Sequence, residues 1–241
     1  MKPHIADVNA TSTGLDVTIL GAIRRLAGTW PRRWLIAITL LSGALAAIVM
    51  AATAHRADLT FAGLSQPAQS LMSIPAPLLG ILLAGDLRRT PRGARVMPSL
   101  LAATLLAAAI GVFGVLVCAA ALALALPGAA QDPWGHVVTI AVGSVLVQVV
   151  AQLVGVGLGL LLRPAWLAFA ASIVLPLGLW YVLGAVEVLR PAQAWLTPYG
   201  TVGNLLSGTM DPGRWAQWLA VFLIWGVGLN AVGAARLNRS T

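Results

Sequence analysis

The sequence predicts an all-α polytopic membrane protein with six transmembrane helices and an N-terminal amphipathic interfacial helix. Three observations carry this. First, 59% of the 241 residues are hydrophobic, only 9% are charged, and the mean hydropathy is +0.89. A soluble domain carries about 25% charged residues, so lipid must be the solvent for most of this surface. Second, Asp, Glu, Lys and Arg are absent from 34–55, 59–85, 96–131, 133–162, 164–186 and 215–235. Each stretch can supply the roughly 20 apolar residues that cross a hydrocarbon core. Third, the basic residues between these stretches alternate between dense and sparse.

The crossings are expected at about 34–54, 68–85, 98–124, 137–162, 164–186 and 215–235. Residues 1–32 then form a tail and lead-in helix, and 33–241 the membrane domain. A seventh charge-free stretch, 191–210, holds two prolines, three glycines and several hydrogen-bonding side chains. Lipid cannot satisfy so irregular a backbone. The expectation is an outer loop over 191–214, or short re-entrant helices shielded by protein.

Loop charges set the expected orientation. With both termini cytoplasmic, Lys2, Arg24, Arg25, Arg32, Arg33, Arg88, Arg89, Arg92, Arg95, Arg163, Arg236 and Arg239 lie inside, and Arg56, Arg190 and Arg214 outside. Twelve against three is a strong positive-inside bias, expected for a multi-pass protein of the plasma membrane. It also accounts for the net charge of +8 without nucleic acid, because these residues meet the head groups of membrane lipids. Trp134, Trp195, Trp215 and Trp218 fall near the outer interface, and Trp30, Trp34 and Trp166 near the inner one. Arg32-Arg33 ahead of an apolar run ending in Ala52-Thr53-Ala54 resembles an export signal. The run is longer than the ~7–15 residues of such a signal, and five further crossings follow, so it is expected to be retained.

Ahead of the first crossing, Leu15, Ile19, Ile23, Leu26 and Trp30 share one face of a helical wheel, with Thr18, Arg24 and Arg25 opposite. Thr11, Ser12 and Thr13 offer N-caps. This pattern suits a helix lying in the membrane interface. It serves either as a simple anchor or as an elbow that also touches a cytoplasmic partner.

Catalytic and metal chemistry find no support. His4, His55 and His136 lie in the tail and outer loops, and Cys118 is the lone cysteine. A Walker A loop needs a lysine at the phosphates, and Lys2, the sole lysine, follows neither a glycine nor a strand. Within the membrane, Ser144, Gln148 and Gln152 recur at helical spacing, with Gly155 and Gly159 beyond them. Buried amides join helices, so this stripe serves as interhelical glue, or alternatively lines a pathway or dimer seam. Asn230 reads as structural, Pro176 as a kink, and Glu187 with Arg190 as an interfacial pair.

The densest charge lies at Gly85–Arg95, GDLRRTPRGAR. It reads as topology charge or as a docking surface for a soluble protein. Six crossings, an amphipathic lead-in and this inner loop together resemble a type-2 ABC exporter permease. Gly85-Asp86, Thr90 and Pro91-Arg92 follow that family's loop in order, with Asp86 where the family carries Glu and a loop several residues shorter. Trp195 to Gly208 resembles the family's stretch before its last crossing. The resemblance implies a permease subunit that forms the pathway for a lipophilic substrate. It implies a separate cassette ATPase subunit as partner and a second permease copy or paralogue. No cofactor is expected on this chain, since ATP would bind the partner. Asp86, Arg88, Arg89, Thr90, Arg92 and Arg95 would form the ATPase-coupling loop. The alternatives are an ion-coupled secondary carrier, an intramembrane enzyme or a non-catalytic structural membrane subunit.

Overall fold

The computed structural model describes residues 28–55, 58–89, 96–125 and 132–239. The lead-in residues Leu15, Ile19, Ile23, Arg24 and Arg25, and the loop residues Thr90, Arg92 and Arg95, lie outside the described residues. Within them every regular element is helical, and six helical stretches are long and apolar enough to cross a membrane. The protein is an all-α polytopic membrane protein.

Span one is α1 (Trp30–Thr53), which opens with Pro31 in its first turn. Proline suits that position because its missing N–H would have no partner there. Span two covers 29 residues, Phe61–Arg89, as two helices, α2 (Phe61–Ser73) and α3 (Ala76–Arg89). Its start lies earlier than the expected residue 68, and the reason is local. The Thr60 side chain accepts from the Gly63 N–H at 3.0 Å and caps α2. The polar residues of α2, Ser65 and Gln69, are buried inside the bundle. The break has an equally local cause. Pro75 and Pro77 have no N–H, so the carbonyls of Leu71 and Ser73 lose their i+4 donors. The chain tightens instead: Ile74 N–H donates to Leu71 at 3.3 Å and Leu78 N–H to Pro75 at 3.1 Å, the three-residue spacing of a 3₁₀ turn.

Spans three, four and five are α4 (Val96–Ala125), α5 (Val137–Leu161) and α6 (Ala165–Ala185), the last helical through Pro176. After a 3₁₀ turn at Glu187–Ala192 come α7 (Gln193–Leu196) and α8 (Pro198–Ser207). Span six joins α9 (Pro212–Val221), a π-helical turn (Phe222–Gly228) and α10 (Leu229–Arg239).

The core sits around α5, whose apolar window is 56% buried against 17% for spans one and five. It packs on spans two, three, five and six and on α8. Glycines allow this closeness. A Cβ on Gly155 would stand 2.6 Å from the Pro77 Cα, and one on Gly159 2.9 Å from the Ile81 Cα. The small-residue face read from Gly155 and Gly159 therefore receives span two, backbone against backbone, as small-xxx-small faces do.

The segment 187–207 is helical and partly internal. Thr201, Leu205 and Leu206 are buried, Gly143 of α5 lies against the Leu205 backbone, and the Trp225 indole N–H donates to the Leu196 carbonyl at 2.8 Å. Neighbouring spans thus shield this non-spanning segment, as an irregular backbone in a bilayer requires. Glu187 and Arg190 are both exposed and form no ion pair with each other.

Candidate functional site

Hydrogen bonds gather the start of span one with the ends of spans two, four and six at one end of the bundle. Arg32 in the first turn of α1 reaches Asp86 near the end of α3, with Nη2 to Oδ2 at 2.6 Å and to the Leu82 carbonyl at 3.2 Å. Arg88 donates to the carbonyls of Leu162 at 2.9 Å and Arg163 at 3.3 Å, and Arg236 to that of Leu161 at 3.3 Å. The last carbonyls of a helix have no partner of their own, and cations complement its negative end. These arginines therefore tie spans two and six to the end of span four. Between them lies a cleft of about 660 Å³, lined by Arg32, Asp86, Arg88, Arg89, Arg163 and Arg236 over an apolar floor. Of the expected loop residues, Asp86, Arg88 and Arg89 belong to the last turns of α3.

The polar stripe of span four lies elsewhere. Ser144, Gln148 and Gln152 are fully buried. Gln148 Nε2 donates to both the main-chain and side-chain oxygens of Gln69 at 3.0 Å, and Gln69 passes a bond to the Gly111 carbonyl at 3.2 Å. With its amide turned so that donor meets acceptor, Gln152 donates to Ala76 O at 2.7 Å and accepts from Gly80 N at 3.3 Å. The stripe joins spans two, three and four within one chain. A seam between two copies would need these residues on the surface, and they have none. Asn230 acts similarly, donating to Leu153 at 2.8 Å and to Gly226 at 2.6 Å, beside the π turn.

Gln148→Leu is expected to lower stability by about 1 kcal/mol, the scale of interhelical hydrogen bonds in membranes. The cost stays small because Gln148 Oε1 finds no donor among the described residues. Reversible unfolding of the purified chain in mixed micelles would measure it, and an unchanged midpoint would contradict it.

A second cavity, of about 450 Å³, opens at the middle of spans two, four and five, against α8. No lining residue is charged. Its walls include both Ser73 and Pro77, and both Ser172 and Pro176. Each pair sits at i and i+4, so each proline denies the serine carbonyl its helical donor. The hydroxyls of Ser73, Ser172 and Thr201 spend their protons on Ser70, Phe169 and Pro198 of their own helices, at 2.7, 2.7 and 3.1 Å. The cavity is apolar, with hydrogen-bond acceptors set into it.

No family model, curated protein or solved structure matches this chain. Its chemistry is legible in its own residues alone. The sequence pointed to the arginine-rich end through Asp86, Arg88 and Arg89. It missed Ser73, Ser172 and Thr201, although the spacings Ser73–Pro77 and Ser172–Pro176 carry the signal of a carbonyl deprived of its helical donor.

Proposed function

We propose that the chain is the membrane-spanning permease subunit of an ATP-binding cassette exporter in the plasma membrane, with both termini cytoplasmic. A separate ATPase subunit supplies the energy, and a second permease copy or paralogue completes the pathway for a lipophilic substrate. The observation that carries this reading is the Arg32–Asp86 tie. It links span one, directly after the amphipathic lead-in, to the end of span two, directly before the basic loop through Arg95. A push on either segment from a cytoplasmic partner reaches both spans through this 2.6 Å contact and the 3.2 Å bond from Arg32 to the Leu82 carbonyl. The mid-membrane cavity, uncharged and apolar, suits a lipophilic cargo.

The test co-expresses the chain with candidate cassette ATPases and measures ATP-dependent transport in vesicles. Reversal of Arg88, Arg89 and Arg92 to glutamate is expected to cut ATP-driven transport at least tenfold while leaving membrane insertion intact. Unchanged transport would remove this end of the protein from coupling.

One observation favours a second reading, an ion-coupled carrier. Discontinuous helices with binding near the midplane are common in such carriers, and span two breaks between Ser73 and Ala76. A carrier usually also places an ionisable group there, and none lines the mid-membrane cavity. Transport driven by a proton or sodium gradient without ATP would establish the carrier in place of the exporter.

A further inference from the structure

We infer that the cleft at the arginine-rich end is a binding site for an anionic phospholipid, with the phosphate between Arg89 and Arg163 and the acyl chains over the apolar floor. The inference does not depend on the exporter reading. Five arginines and one aspartate line the cleft, a net of four positive charges. The aspartate is already committed, since Asp86 holds Arg32 at 2.6 Å. A guanidinium has five N–H donors. Arg88 and Arg236 spend some of theirs on the carbonyls that end span four and keep the rest. Arg89 and Arg163 are exposed, and their guanidinium groups make no hydrogen bond or ion pair with the described residues, the Arg163 carbonyl alone accepting from Arg88. So many like charges on one cleft call for an anion. Guanidinium pairs suit phosphate because they bind it through parallel N–H bonds.

The floor selects the kind of anion. Leu82, Leu161 and Ala165 line the same cleft with part of their surface exposed at the end of membrane-spanning helices. A soluble phosphate would leave that apolar surface wet, whereas a phospholipid covers it. Basic pockets between transmembrane helices bind anionic head groups in this way.

The test places the full chain in micelles with equal phosphatidylglycerol and phosphatidylcholine of matched acyl chains and counts retained lipids by native mass spectrometry. At least fivefold preference for phosphatidylglycerol is expected. R89Q/R163Q should abolish the preference. It removes no described hydrogen bond, so a thermal midpoint close to the parent's is expected. R190Q/R214Q, which removes the same charge at the opposite end, should keep the preference. Equal retention of the two lipids, or a preference that survives R89Q/R163Q, would overturn the site. So would stabilisation by inorganic phosphate, or by an acidic peptide, as large as that by phosphatidylglycerol. Either result would assign the cleft to a soluble anion or to a protein partner.

Discussion

Gly155→Leu is expected to destabilise the protein by about 3 kcal/mol or more, the upper range for overpacking a close-packed interior. Overpacking is milder where a neighbouring side chain can rotate away. Here no side chain is in the way. The added Cβ alone would stand 2.6 Å from the Pro77 Cα and closer still to the Pro77 carbonyl oxygen. Proline is fixed in φ, and it sits just after the break in span two, so relief requires α3 to move as a body. That movement would part Gly80 from its seat beside the Gly155 and Val156 backbone and pull Ala76 from the Gln152 amide. Gly178→Leu, on span five with nothing within 4 Å of its would-be Cβ, should change stability by less than about 0.5 kcal/mol, as substitutions away from packed features do. Unfolding of both variants in the same mixed micelles makes the comparison. Similar losses at the two positions would show that contact between spans two and four does not set the cost, since leucine is the better helix former at both.

The same contrast explains what was legible in the sequence. Charge is expensive at the bilayer centre, so each of the charge-free stretches 34–55, 59–85, 96–131, 133–162, 164–186 and 215–235 overlaps one of the six apolar helical stretches. Which residues inside a span face protein is a weaker signal, because lipid-facing and protein-facing positions are both apolar. Gln148 and Gln152 could be seen as needing partners, but not that Gln69 and Ala76 would supply them. Span two begins at Phe61 rather than the expected residue 68, because Thr60 caps α2 and Ser65 is buried in the bundle. Pro176 read as a kink in isolation. Its significance lies in Ser172, four residues earlier, sharing a cavity with the equally deprived Ser73. The arginine-rich end was visible as a charge count, yet its geometry required knowing that the carbonyls of 161–163 end a helix there.

Arg32→Met is expected to cost about 2 kcal/mol. Breaking a fully buried pair costs about 3–5 kcal/mol and an exposed one about 0–1. Here the Arg32 side chain is 8% exposed and that of Asp86 42%, so an intermediate value follows. Each residue also sits at the wrong end of its helix. An arginine in the first turn of α1 opposes the positive helix terminus, and an aspartate near the end of α3 opposes the negative one, each by about 0.3–1 kcal/mol. Paired across antiparallel spans, each charge offsets the other's penalty. Asp86→Asn should cost less, about 1 kcal/mol, because Arg32 still donates to the Leu82 carbonyl and hydrogen bonds of this kind contribute on that scale. The double variant Arg32→Met/Asp86→Asn should then be no worse than Arg32→Met alone, since the methionine takes away the arginine that faces the Asp86 carboxylate and the asparagine removes that carboxylate's charge. Strict additivity of the two single losses in the unfolding midpoint would mean that the 2.6 Å contact carries no coupling energy. A mechanical link between span one and span two would then have to run through packing instead.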